Sequence, residues 1–411
     1  MSRRAPNDVL MVGWHFKAVD ALRQAGRRTI SAVSSAELYR VPAHVPRTDL
    51  VIVPDSNRAE DVLAGLAREG LAPSDFAAIH TMREFALVTA SLLAAHGDTQ
   101  GLPVDTAVAL RDKYVQKKLV RDAGLPTAAC HLVDHLADLL GDTPPLPFVV
   151  KPLAGAGAFN THAVRTRAQL EALTAASGGS QGQGPWLVEE FIDGRELHID
   201  GIVREGVLTF LAVSRYLNNV IDIKTGGLVG SVTLHPHTEA ACYQQARSLT
   251  QHALAALRLS DGIFHLEAFQ RGGELVFSEC AGRIGGGVVQ DTLIHAFGTD
   301  LLAEWARGIT GQPSTPAAQP HPHNHGWVHL QAEAGRPVRL PSLDALERQP
   351  GCVAAGLDLK GSRVIPDPAV SSNQRVAWAV LAGDSEQHVA HNAQNLAAWF
   401  HDTALLATVD A

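Results

Sequence analysis

Residues 264–287 read FHLEAFQRGGELVFSECAGRIGGG, and the fold turns on how this stretch pairs with itself. GIFHLEAF (262–269) and ELVFSECA (274–281) are apolar runs of strand length. QRGG between them is a hairpin signal, because glycine takes the positive φ that tight turns need. Side chains alternate along a strand, so a regular hairpin puts Glu267 and Glu279 on one face. Two converging carboxylates repel each other, and a hard divalent cation such as Mg²⁺, bridging to nucleotide phosphates, relieves that repulsion. Arg283, followed by Gly285-Gly286-Gly287, supplies a planar fork for a carboxylate or phosphoryl oxygen. The plain alternative is a buried structural Glu–Arg pair.

Working outward, a helix starts near Thr106 or Asp112, carries Lys113, and ends at Gly124 with Pro126 beyond it as a stop. The compact strand LPFVVKP ends in Lys151. Each lysine alone is an ordinary surface residue; together they can neutralise phosphate oxygens as point charges. Between them and the hairpin lies Ala154-Gly155-Ala156-Gly157-Ala158, a loop without bulky side chains whose amides can close on phosphates. Glu189-Glu190-Phe191-Ile192 leads from a strand into a turn, the kind of segment that offers backbone groups to a purine edge. Glu196 follows, placed to accept from ribose hydroxyls. The polar stretch SRYLNNVIDIKTGG (214–227) has the character of a specificity loop, with Arg215 or Lys224 as the expected contact to a phosphoryl group or substrate carboxylate. His198 and Asp200 share a strand face behind Glu196, and turns are expected at Asp200-Gly201 and Glu205-Gly206.

Residues 7–100 alternate strand and helix, which argues for a small parallel sheet wrapped by helices. The first turn is Gly13-Trp14-His15, so the dinucleotide fingerprint is missing, and no Walker-type loop is present. GLPVD at 101–105 reads as a boundary, SGGSQGQGP (177–185) as a flexible connection, and QPSTPAAQPHPHN as a linker into a last section with short strands and a closing helix. His321, His323 and His325 alternate at its end; metal ligation requires all three on one face.

The 411 residues exceed one core, and 46% hydrophobic with 18% charged excludes disorder. A net charge of −8 offers no field for nucleic acid or anionic membranes. Four scattered cysteines and the lack of a long apolar run fit a cytoplasmic protein.

DKYVQKKLVRDAGLPT (112–127), FVVKPLAGAGAFNT (148–161), VEEFIDGRELHIDG (188–201) and the opening hairpin occur in an order that resembles the ATP-grasp enzymes. The chain is most similar to their carboxylate–amine ligases, which include dipeptide-forming L-amino-acid ligases. The resemblance implies an α/β fold in three parts: a βα pre-domain over 1–105, an ATP-grasp domain over 106–310 with a lid at about 125–187, and a C-terminal section over 311–411. It implies that Lys113 and Lys151 bind ATP phosphates under the Gly155 and Gly157 loop. Glu189, Glu190, Phe191 and Ile192 would meet adenine, and Glu196 ribose. Glu267 and Glu279 would hold Mg²⁺, or Mn²⁺ in its place, while Arg283 steadies the acyl-phosphate. The substrates would be small carboxylates and amines, with a homodimer the default assembly. One departure stands out: where many members carry E-x-N-x-R, Ala281 replaces the Asn. Two rival readings remain at this level, a bicarbonate-activating enzyme of biotin carboxylase type and a nucleotide-binding regulator without turnover.

Overall fold

A computed structural model describes residues 7–177, 184–315, 319–332, 340–358 and 375–406. Most of the expected connection at 177–185 and part of the linker, 316–318, therefore lie outside the described residues, as does the side chain of Lys224.

The N-terminal section alternates β1 (Val9–Val12), α1 (Phe16–Gln24), β2 (Thr29–Ser34), β3 (Leu50–Val53), α2 (Ala59–Arg68), β4 (Ala78–His80) and α3 (Leu87–Gly97). The strands form a parallel sheet in the order β3-β2-β1-β4. Val9–Val12 are all buried, as expected of a parallel strand covered on both faces.

Two helices follow where one was expected, α4 (Val104–Arg111) and α5 (Lys113–Asp122). Asp112 causes the break: its extended backbone stops α4, and its carboxylate accepts from the N–H groups of Tyr114 and Val115 to cap α5.

A small sheet in the order β5-β8-β6-β7 is built from β5 (Cys130–Val133), β6 (Phe148–Pro152), β7 (His162–Val164) and β8 (Trp186–Glu190). It packs against α6 (Asp138–Gly141) and α7 (Arg167–Ala176) around its own core of Phe148, Val150 and Leu170.

Among the described residues the large sheet has eight strands. Its first part comprises β9 (Arg195–Arg204), β10 (Val207–Tyr216), β11 (Gly230–Thr233), β12 (Gly262–Arg271) and β13 (Glu274–Ala281), with α8 (Ala240–Ala256) packed behind. Next come α9 (Val289–Phe297) and α10 (Leu301–Ile309), then β14 (Asn324–Leu330), α11 (Leu343–Glu347), β15 (Cys352–Leu357), β16 (Ala377–Gly383) and α12 (Glu386–Leu406). The order β13-β12-β9-β10-β11-β14-β16-β15 carries the last three strands on into the central sheet. The stretch 311–323 thus joins two parts of one sheet.

The expected turn at Asp200-Gly201 does not form; β9 runs straight through it and turns only at Glu205-Gly206. Gly201 is there for close packing, since a Cβ would sit 2.4 Å from the Phe210 carbonyl oxygen and 2.6 Å from the Phe264 ring.

Candidate active site

The two faces of the large sheet differ in chemistry. Register pairs Glu267 with both Glu279 and His198, His265 with Asp200, and Ser214 with His198. These polar residues share one face. Leu197, Ile199, Leu266 and Cys280 point the other way into an apolar core with α8. Cys280 is accordingly a small buried hydrophobe, its thiol pKa pushed up by burial.

The polar face is roofed by the small sheet and its glycine loop, and the space between is a cleft of about 1460 Å³ including its open mouth. Lys113, Lys151, Gly155, Gly157, Glu189, Glu190, Phe191, Ile192, Glu196, Glu267, Glu279 and Arg283 all line it. Residues drawn from separate stretches of sequence therefore converge on one site.

The hairpin turns at Gly272 and Gly273, with φ of +56° and +89°, and a bulge follows Glu267. Its outer strand β13 is held by α5. The Gln116 side chain donates to the Cys280 carbonyl (2.7 Å) and accepts from its N–H (2.8 Å), and Lys117 donates to the Ser278 carbonyl (2.8 Å). This seating brings Lys113 to 2.9 Å from Glu279. Lys113 also donates to the Gly155 carbonyl (3.2 Å), and Arg111 reaches the carbonyls of Ala154 and Gly155, so the glycine loop is tied to this helix pair by cations.

Glu189 is buried between two lysines, at 2.8 Å from Lys117 and in contact with Lys151. Burial opposes its charge, but the two ammonium groups hold its pKa down. Its side chain therefore anchors cations, and only its backbone is available to a ligand. Glu190 turns outward, pairing with Arg271 at 2.9 Å, so it too lines the cleft through its main chain. Burial works against Lys151, yet Glu189 and Glu279 raise its pKa and keep it charged. Burial dominates at Lys117, whose pKa falls.

Glu196 accepts from Val220 N–H (2.6 Å), and Asn219 bridges its N–H to the Gly194 carbonyl. Burial first, then the nearby Glu267, push the Glu196 pKa up. Glu267 and Glu279, both lining the cleft beside it, form a donor set that a hard divalent cation fits. Ala281 also lines the cleft and offers no ligand atom.

Behind Glu267 is a buried network. Asp200 meets His198 Nδ1 at 2.5 Å and His265 Nδ1 at 2.8 Å, and His198 Nε2 meets Ser231 Oγ at 2.7 Å. Those are hydrogen-bond separations that leave no room for an ion among the three groups. Burial opposes protonation of His265, but Asp200 raises its pKa to about 10. Its Nε2 lies 3.5 Å from Glu267, and the Tyr216 hydroxyl donates to the same carboxylate at 3.0 Å.

Arg215 does not reach the cleft. Strand alternation gives that side to Tyr216 and turns Arg215 toward α12, where Nη1 meets both Glu386 oxygens at 2.5 and 2.6 Å. The expectation that Arg215 contacts substrate is corrected accordingly. Lys117 was missed, although its i,i+4 spacing from Lys113 puts both on one helix face. Glu84, from the N-terminal section, was also missed; it pairs with Arg283 at 2.5 Å and Arg111 at 3.5 Å, and no local pattern signals it.

Residues 144–291 match the ATP-grasp domain family. An L-arginine-specific L-amino acid ligase of Bacillus subtilis is 24% identical over 378 residues, 90% of this chain and 91% of that protein. The crystal structure of an L-amino acid ligase from Bacillus licheniformis superposes with a TM-score of 0.78 at 18% identity, covering 97% of this chain and 99% of the other. A carboxyaminoimidazole ribonucleotide synthase from Aspergillus clavatus, complexed with ATP, superposes at 0.73 with 14% identity over 99% and 100% of the two chains. The match over residues 144–291 and the shared fold place an ATP-grasp domain within this chain.

Proposed function

We propose that the chain is an ATP-dependent ligase that joins the carboxylate of an amino acid to an amine through an acyl-phosphate, releasing ADP and phosphate. One observation carries this reading: the paired carboxylates Glu267 and Glu279 share a cleft with Lys113, Lys151, Arg283 and a glycine loop. The relative named an L-amino acid ligase, matched along nine-tenths of the chain, supports it.

In this reading Lys113 and Lys151 leave their ion pairs with Glu279 and Glu189 to neutralise ATP phosphates, and the amides of 154–158 close over them. The main chain of Glu190–Ile192 faces adenine, and Glu196 the ribose. Glu267 and Glu279 hold Mg²⁺, or Mn²⁺ in its place; Tyr216 orients Glu267 for this. The bound cation would offset phosphate charge and polarise the transferred group. A substrate carboxylate oxygen bonds to the γ-phosphorus as the bond to ADP breaks. Arg283, held by Glu84, steadies charge on the acyl-phosphate while the amine attacks its carbonyl carbon. The chain's task is positioning and charge stabilisation, and no side-chain nucleophile is needed. Four free thiols suit a cytoplasmic setting, with a homodimer as the default assembly.

Isotope transfer tests the mechanism. An amino acid labelled with ¹⁸O in its carboxylate should pass one label to the phosphate released during amide formation. Label-free phosphate accompanying amide product would contradict an acyl-phosphate route.

A further inference from the structure

The ligase reading accounts for the front of the glycine loop but not for the cation behind it. Arg111 closes α4, is 8% exposed, and is not among the residues that line the cleft. Its guanidinium donates to two successive carbonyls, that of Ala154 and, at 3.3 Å, that of Gly155. The guanidinium carbon lies 4.6 Å from the centroid of the Phe85 ring, and Glu84 is 3.5 Å from Nη1. The Lys113 N–H donates to the Leu153 carbonyl at 3.0 Å, so the root of the loop is fixed as well. A rigid planar fork suits two neighbouring carbonyls as an ammonium does not, and an aromatic face beside it holds its plane.

We infer that Arg111 is a positioning residue for the ATP phosphates: by holding these carbonyls it aims the amides of Gly155 and Ala156 into the cleft, where phosphate oxygens accept from them. Peptide geometry fixes the direction. In a planar trans peptide the C=O and the next N–H point opposite ways, so a carbonyl drawn toward Arg111 sends the following amide away from it. Gly155 and Ala156 line the cleft, and among the described residues neither N–H has an acceptor within the protein. A loop of alanine and glycine has no side chain of its own to orient such donors. Lys113 gives up the Gly155 carbonyl when it moves to the phosphates, and Arg111 then remains as the side-chain tether. Glu84 meets Arg111 and, at 2.5 Å, Arg283. One carboxylate of the N-terminal section thus braces both the loop over ATP and the arginine at the acyl-phosphate. This role rests on the reading of the cleft as an ATP site.

The test is calorimetric titration of the full chain with ATP and with adenosine, both with Mg²⁺ and without amino acids. Arg111→Gln should weaken ATP binding about tenfold or more, while adenosine, which carries no phosphate, changes by less than about twofold. Arg111→Lys keeps the charge without the fork and should not restore ATP affinity. Phe85 is 55% exposed, so Phe85→Leu should fold normally, and it should weaken ATP binding about two- to fivefold with adenosine unchanged. An ATP-to-adenosine affinity ratio that stays at the wild-type value in either Arg111→Gln or Phe85→Leu, or full rescue by lysine, would overturn the role of Arg111. Wild-type protein that binds ATP no better than adenosine would instead overturn the ATP-site reading itself.

Discussion

Lys151 is buried at the end of β6, its ammonium against Glu189 and 4.0 Å from Glu279. A buried ammonium kept charged by two carboxylates is poised to exchange one partner for a phosphate oxygen. Lys151→Ala should therefore weaken ATP binding about tenfold or more by calorimetry, with circular dichroism reporting an intact fold. Unchanged ATP affinity would separate this residue from the nucleotide. Glu267→Gln keeps the shape and removes the charge, and should lower metal-dependent turnover about 100-fold or more while ATP still binds. Near-normal turnover would remove Glu267 from the metal assignment. Residue identity was legible here because a charge must have a reason to be near an apolar strand. Orientation was harder. Arg215 and Tyr216 are neighbours in a polar stretch, and only the register of β10 against β9 decides which of them faces the cleft.

At the scale of elements, Arg215→Ala tests that assignment. Its contact with Glu386 is largely shielded from solvent and ties β10 to the N-terminus of α12. The variant should lower the thermal midpoint by about 1–4 °C while both substrate KM values stay as they were. A changed KM would return Arg215 to the site. The β12–β13 hairpin was readable from sequence because two glycines mark its turn and both carboxylates sit in phase. The path of β9 was not, since Asp200-Gly201 has the composition of a turn. Only the approach of Phe210 and Phe264, both distant in sequence or on another strand, explains the glycine. The break at Asp112 follows the same logic: a capping residue inside a helical pattern divides it.

The whole molecule joins its N-terminal sheet to the rest partly through His80, at the end of β4, packed edge-on to Trp305 of α10 at 5.7 Å. Burial lowers the His80 pKa to about 4. The folded state thus prefers neutral His80, and its contribution is full above pH 6.5 and lost as pH falls toward 4. Over that window the loss is up to about 3 kcal/mol, and His80→Phe should flatten the acid limb of a pH–stability curve measured by denaturant. An identical limb in the variant would refute this. The strand–helix alternation of the N-terminal section was legible from the sequence. The merging of β14–β16 into the central sheet was not, because strand partners a hundred residues apart leave no local mark. A separation of 199 residues likewise hides Glu84 behind Arg283.

In the proposed reaction two small molecules are joined at the expense of ATP. The most direct measurement is phosphate release with Mg²⁺ against amino acids singly and in pairs, with mass detection of products. ADP and phosphate should form only with the pair, beside a product whose mass equals the two substrates less one water. ADP formation that needs bicarbonate and no amino acid, or tight ATP binding without turnover against any acceptor, would contradict it.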